Sequence, residues 1–310
     1  MIGGEFSYIC RRMDKIVQLN SISDYCKYCG FEVLHPLAAV VDLAEAKRNY
    51  PECKLNYGLY ALWLKQGVGC NIRYGRKNYD YQDGTVVSFA PGQVVQVEPK
   101  WDSSASAIGL LFHPDLIHGT SLGRRINQFT FFSYDDAEAL HLSERERAQY
   151  LGIIESIKEE LGHAIDRHSR ILLCDHIELL LDLCMRFYDR QFITREKVNG
   201  DVLADFERIL NAYFSEGKAR NNGFPSVASM ADELHYSVGY FGDLIKKETG
   251  QTAQQYIQNK IIDLAKEDLL GTNLPVTEIA LKLGFDYPQH FTRLFKKVTG
   301  KSPSEFRMIA

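Results

Sequence analysis

One stretch of this sequence is written twice. Gly239-Tyr-Phe-Gly-Asp-Leu-Ile-Lys-Lys-Glu-Thr-Gly250 aligns with Gln289-His-Phe-Thr-Arg-Leu-Phe-Lys-Lys-Val-Thr-Gly300 at an offset of 50 residues. Phe241/Phe291, Leu244/Leu294, Lys246/Lys296, Lys247/Lys297, Thr249/Thr299 and Gly250/Gly300 are identical, six of twelve positions. Upstream the offset becomes 49, pairing Ala231 with Ala280 and Leu234 with Leu283. The one-residue difference therefore falls in a turn between two short helices, where an insertion costs least. Two copies make a duplicated module rather than a solenoid, which needs three or more repeats.

Each copy follows the grammar of a helix-turn-helix. A short helix begins after Pro225-Ser226 in the first copy and after Leu274-Pro275 in the second. Ala231 or Ala280 is small where two helices would cross closely, and Gly284 suits a left-handed cap in the second turn. His235 stands where the second copy has that glycine, and histidine enters the left-handed region only with strain. The following helix turns Phe and Leu inward and ends in Lys-Lys, close to the negative end of its dipole and within reach of phosphates. Between the copies, Thr252 to Leu270 predicts a connecting helix of 19 residues, roughly 28 Å at about 1.5 Å per residue. That length is close to the about 34 Å between successive major-groove faces on one side of B-DNA.

Val276-Thr-Glu-Ile-Ala-Leu-Lys-Leu-Gly-Phe285, the repeat from Gln289 to Lys297, and Gly300-Lys-Ser-Pro-Ser-Glu-Phe-Arg307 resemble the signature of the AraC/XylS family of bacterial transcription regulators. The resemblance covers 201–310. It implies a carboxy-terminal DNA-binding domain with helix-turn-helix units at about 225–250 and 275–300. On that reading the second recognition helix presents Tyr287, Gln289, His290 and Arg293 to DNA, with Lys296 and Lys297 on phosphates. Arg293 can fork onto guanine and Gln289 onto adenine. In the first copy Ser237, Gly239 and Tyr240 hold the equivalent face, with Lys246 and Lys247 behind them. Asp243 departs from the family, which commonly carries arginine there, as this chain does at Arg293. A solvated polar face is the plainer reading of both helices.

The amino-terminal half resembles, more faintly, a cupin-like effector domain followed by a helical dimerisation hairpin. Its own pattern is β: Tyr57 to Lys65, Val68 to Tyr74, Thr85 to Ala90 and Ala107 to Phe112 are short apolar segments punctuated by turn residues. No ten-residue helical pattern separates them, which argues against a parallel α/β sheet. The expected architecture is α+β: a cupin-like β-barrel with a hairpin at about 143–188 inside 21–190, a linker at 191–200, then the all-α reader. Residues 1–20 read as a tail. Ser143-Glu-Arg-Glu146 is a capping box that opens the first hairpin helix. The second, from Ile171 to Phe187, is too apolar all round for a lone surface helix and must pack on two sides. Leu173, Ile177, Leu180 and Cys184 are its candidate contacts with a second copy.

Tyr60, Trp63, Arg73, Tyr74 and Phe89 are candidates for an effector pocket, although aromatic residues in β segments are more often plain core. Enzymatic cupins cluster His and Glu on neighbouring strands. Here there is no His-x-His, and His113 and His118 flank Pro114 at an awkward spacing for one metal. A cupin-type metalloenzyme with a helical appendage is the rival reading, and a helical protein-interaction module a third. No Gly-rich phosphate loop or nucleophile elbow is present. The net charge of -4 over 310 residues provides no global basic field, so DNA binding has to rest on the local motif.

Seven scattered cysteines, including Cys26 and Cys29 in a lone C-x-x-C, read as reduced, partly buried thiols of a cytoplasmic protein. No apolar run reaches the roughly 20 residues of a membrane span, and the amino terminus shows no secretory signal. The expected partners are promoter or operator DNA, an unidentified small-molecule effector, RNA polymerase and a second copy of the chain. No cofactor or metal is expected.

Overall fold

The computed structural model describes residues 16–46, 53–66, 71–73, 84–98, 106–135, 138–194 and 196–309. The chain divides into two compact units, Met1–Ile193 and Thr194–Ala310. The division falls inside the stretch expected to be a linker.

The first unit is a mixture of strands and helices. Strands β1 (Ile16–Leu19), β3 (Cys53–Tyr57), β7 (Val94–Glu98) and β5 (Asn71–Arg73) form a four-stranded sheet in the order β1-β3-β7-β5. Strands β2 (Ala38–Asp42), β8 (Ser106–Phe112), β4 (Tyr60–Gln66), β6 (Thr85–Phe89) and β9 (Leu140–His141) form a five-stranded sheet in the order β2-β8-β4-β6-β9. β1 runs parallel to β3, and the remaining pairs are antiparallel. No strand pair joins the two sheets among the described residues, so the closed barrel expected from sequence is replaced by two open sheets. Residues 16–19, expected in the tail, are paired through Ile16–Lys54 and Leu19–Tyr57.

One apolar core lies between the sheets. Leu55, Tyr57 and Val95 of the first meet Ala61, Trp63, Val87, Phe89 and Leu111 of the second. Helix α1 (Ile22–Cys29) adds Ile22, Tyr25, Cys26 and Cys29. Its start is fixed by Ser21, which accepts from the Asp24 amide, and its end by Gly30 in the left-handed region. Gly109 is required by close approach: a Cβ there would lie 2.3 Å from the Trp63 ring across the strand pair. The five-stranded sheet is buried on its other face as well, where Leu62, Leu64, Leu110 and Phe112 lie. Burial on both faces explains why β4 reads Tyr-Ala-Leu-Trp-Leu without polar alternation.

After the short helices α2 (Pro114–Ile117) and α3 (Ser121–Arg125) comes the helical hairpin, α4 (Glu144–Gly162) and α5 (Ser169–Thr194). Both halves of the expected capping box form, Ser143 accepting from the Glu146 amide and Glu146 from the Ser143 amide. Asp166 turns the chain between the helices by accepting from the amides of His168 and Ser169. Arg190, near the end of α5, reaches back to Glu146 at 2.7 Å and to the His141 carbonyl at 2.6 Å, so the helices run antiparallel.

The hairpin corrects one expectation. Leu173, Ile177, Leu180 and Cys184 are buried inside their own unit. Burial pushes the Cys184 thiol up to about 12. They form the intramolecular side of the all-round apolar helix, and Leu172 and Leu179, 42 % and 51 % exposed, lie on the other side. Cys26, Cys29 and Cys174 are likewise buried.

The second unit is helical: α6 (Glu196–Ser215), α7 (Lys218–Asn222), α8 (Val227–Glu233), α9 (Val238–Thr249), α10 (Ala253–Gly271), α11 (Val276–Lys282), α12 (Pro288–Thr299) and α13 (Pro303–Ile309). The supposed linker is helix on both sides of residue 195: 191–194 close α5 and 196–200 open α6. Apart from Gly200 the stretch holds residues that a helix accepts, and losing an apolar stripe does not end a helix.

Candidate nucleic-acid interface

The repeat in the sequence is a repeat in hydrogen bonding. In the first turn the amides of Leu234, His235 and Tyr236 donate to the carbonyls of Met230, Asp232 and Ala231. In the second, Leu283, Gly284 and Phe285 donate to Ile279, Leu281 and Ala280, the same pattern displaced by 49 residues. The next equivalent positions, the caps Ser237 and Tyr287, differ by 50, so Asp286 is the inserted residue.

The far ends of α9 and α12 match as well. Gly250 and Gly300 take left-handed caps at φ 72° and 78°, their amides donating to the Lys246 and Lys296 carbonyls. Thr249 and Thr299 donate back to the carbonyls of Ile245 and Phe295 at 2.7 and 2.8 Å and accept from the amides of Gln251 and Lys301. A Thr-Gly pair thus ends each recognition helix. The next helix then starts on Thr252 with Gln255, or on Ser302 with Glu305.

Both recognition helices pack on α10, which spans the 19 residues expected of it. Phe241, Leu244 and Ile245 anchor α9, and Phe291 and Phe295 anchor α12. Phe206 of α6 meets Phe241 edge-on at 5.1 Å, and Phe306 of α13 meets Phe295 at 5.5 Å. Each helix therefore carries one buried stripe and leaves a second face open.

On α12 the open face is the expected one. Tyr287, Gln289, His290, Arg293, Lys296 and Lys297 are all exposed, and the Tyr287 and His290 rings meet at 5.5 Å. Gln289, Arg293 and Lys296, spaced four and three apart, form one row. On α9, Lys246 and Lys247 are exposed as expected.

Tyr240 is not on that open face. It is only 3 % exposed and stacks on Tyr236 at 5.4 Å, a corrected placement. The one-residue shortening of the first turn sets Tyr236 beside it, where the second copy has room for an exposed His290. Ser237 is half-buried, and its hydroxyl accepts from the Tyr240 amide as the helix cap. Gly239, Gly242 and Asp243 are half-buried on the same helix. Val238, 51 % exposed in the first turn of α9, escaped the reading of the sequence. Its signal was an apolar residue directly after a capping serine, outside the Phe-Leu stripe.

Among the described residues the candidate effector side chains fall on two faces of the sheet. Trp63 and Phe89 lie in the core between the sheets. Tyr60, at odd spacing from Trp63, takes the opposite face of β4 and packs on Phe112 and Phe132 at 5.0 and 5.1 Å. Arg73 ends β5, and Tyr74 lies outside the described residues. His113 accepts from the Asp115 amide as the cap of α2, and His118 lies 3.3 Å from the Asp115 carboxylate. Among the described residues no three His, Cys, Asp or Glu side chains are grouped to hold a metal ion.

These features define a protein with two helix-turn-helix units held on one connecting helix. A family model described as "Helix-turn-helix domain" matches residues 230–308. The arabinose operon regulatory protein of Salmonella typhimurium is 30 % identical over 182 residues, covering 58 % of this chain and 58 % of that one. The arabinose operon regulatory protein of Escherichia coli is 34 % identical over 180 residues, 57 % of this chain and 54 % of its own length. The chain thus spans just over half the length of these two curated relatives. The Transposon Tn10 TetD protein of Escherichia coli is 34 % identical over 144 residues, 46 % of this chain and 91 % of that protein. The chain belongs to the AraC/XylS family.

Proposed function

We propose that this chain is a sequence-specific DNA-binding transcription regulator. The observation that carries the proposal is the pairing of two equally built helix-turn-helix units on α10, each with a recognition helix whose outer face ends in Lys-Lys. Tyr287, Gln289, His290 and Arg293 are the base-reading set of the second unit. Ser237, Gly239 and Tyr240 leave little for the first: one caps, one lacks a side chain and one is buried. Val238 joins the first unit as an apolar contact for a thymine methyl. Lys246, Lys247, Lys296 and Lys297 hold phosphates.

The amino-terminal unit is a cupin-like sensor on this reading, and a small molecule bound there changes how the reader engages promoter DNA and RNA polymerase. The protein works as a homodimer in the cytoplasm. Among the described residues no helix is long and apolar enough to cross a membrane. Dimer contact runs along the exposed side of α5, through Leu172, Leu179 and the partly buried Leu183, which recur at seven and four residues. Selection of bound duplexes from a random pool tests the proposal. A recovered sequence with two conserved half-sites supports it, and a pool that stays random after repeated selection overturns it.

A further inference from the structure

The two helix-turn-helix units touch at a second place besides α10. Gly284, in the turn of the second unit, stands at φ +90°. A Cβ there would lie 2.5 Å from the Gly223 carbonyl carbon, 2.5 Å from the Phe224 nitrogen and 2.9 Å from the Ala219 oxygen. Those atoms belong to α7 and the strap that leads through Pro225 directly into Ser226, the cap of α8 in the first unit. Phe224 then lays its ring on Phe285 at 5.5 Å, and Phe285 continues to Phe291 of the second recognition helix, also at 5.5 Å. The strap is held from behind by Tyr213, whose hydroxyl donates to the Gly223 carbonyl at 2.9 Å. Gly223 itself, at φ 78° and ψ -176°, occupies a region open essentially to glycine alone.

The first unit supplies an internal control. Its equivalent turn residue is His235, at φ 62° and exposed, with the same pattern of turn hydrogen bonds. A side chain is therefore compatible with this turn. At 284 the backbone, at φ +90° against 62° for His235, already strains any side chain, and the approach of the strap adds a steric bar that the first turn lacks. Phe224 is 49 % exposed, and Phe285 is its aromatic partner among the described residues.

We infer that Gly284 and Phe224 form a clasp that fixes the pose of one recognition helix relative to the other, and so sets the spacing of half-sites the protein accepts. Both are positioning residues: neither needs to touch DNA. α10 alone joins the two units through one helix, about which small rotations of either unit are cheap. A second tie converts that joint into a closed frame, and a rigid two-headed reader discriminates spacing where a hinged one does not.

The inference rests on the DNA-binding reading above. Its test uses the full chain and the selected duplex, with the two half-sites at native spacing, one base pair closer and one or two further apart, and with each half-site alone. The wild type is expected to lose tenfold or more at each altered spacing. Phe224→Ala is expected to bind single half-sites within twofold of wild type, to bind native spacing at least fivefold more weakly, and to lose less than threefold on altered spacings relative to its own native-spacing value. Gly284→Ala should show the same flattened profile more strongly, and His235→Gly should keep the wild-type profile. Restoring Phe224 as Leu should recover part of the discrimination. A Phe224→Ala profile as steep as wild type would overturn the inference, as would a loss equal on single half-sites and on every spacing. If the wild type binds no duplex with preference, it is the underlying reading that fails.

Discussion

The two readers are built alike but equipped differently, and the consequence can be measured base by base. α12 offers Gln289, His290 and Arg293, three exposed side chains with directed hydrogen-bonding groups. The corresponding positions of α9 are Gly239, Tyr240 and Asp243: one without a side chain, one buried under Tyr236, one acidic. A lost specific base contact costs about 1 to 3 kcal/mol, and about 1.4 kcal/mol is tenfold in affinity. Single-base changes under α12 should therefore weaken binding by roughly five- to 150-fold on that scale. Under α9 the proposed contacts that remain are Val238 with a methyl group and phosphate contacts that carry no sequence. Changes there should cost less than about 0.6 kcal/mol, or threefold.

Arg293→Ala should abolish the preference at one position under α12 without loss of fold, since Arg293 lies on the exposed face of the helix. Fluorescence anisotropy with a duplex panel covering every single-base substitution provides the numbers. Equal penalties in both half-sites would show that the two recognition helices read bases alike. A strong cytosine preference under α9 that disappears in Asp243→Ala would likewise refute the inequality of the two readers.

Three further outcomes follow from the same geometry. Replacing Lys296 and Lys297 together with Ala should reduce the slope of log affinity against log salt by about 1.8, near 0.9 per phosphate contact, with no change in preferred sequence; an unchanged slope removes them from the interface. Leu180→Ala, in a fully buried position, should cost about 2 to 5 kcal/mol in denaturant unfolding, whereas Leu172→Glu with Leu179→Glu should give folded monomers by sedimentation; a folded dimer would place the interface elsewhere. Burial alone would raise the Glu146 carboxyl, but the Ser143 amide, Arg190 and the Ser143 hydroxyl outweigh it and hold it below its ordinary value of 4.5. The folded chain then binds fewer protons there than the unfolded chain, so its contribution is complete above pH 4.5 and lost as pH falls through the lowered value. Glu146→Gln should flatten this acid limb of the unfolding curve, and an unaltered limb would show that the carboxylate contributes nothing.

What the sequence disclosed was mostly punctuation. Ser143 with Glu146 acts through neighbours three residues away, so local sequence contains its whole mechanism. The helix-turn-helix units followed from the repeat, and the Thr-Gly pairs that end their second helices are local in the same way. Facing was harder to read. Leu180 and Leu179 are adjacent leucines on a helix apolar all round, and only the packing of its own unit decides which one is covered. Tyr240 went the same way: its burial depends on Tyr236, brought close by a turn one residue shorter than its twin.

Among the strands, β4, β6 and β8 were visible as apolar runs and β5 lies within the run read from Val68 to Tyr74, whereas β1, β2, β3, β7 and β9 were not read as strands. Tyr60 and Trp63 are three residues apart, an odd step that puts them on opposite sheet faces, so a period-two reading would have separated them. The clasp at Gly284 left a single trace, a glycine where the twin turn holds His235.

One chain is expected to carry two recognition helices onto one side of duplex DNA, and hydroxyl-radical footprinting of the full chain on its selected duplex measures this. Two protected patches per chain are expected, centred about 10 to 10.5 base pairs apart on one face of the helix, with weakened protection under α12 in Arg293→Ala. A single patch, or protection spread evenly without regard to sequence, would contradict it.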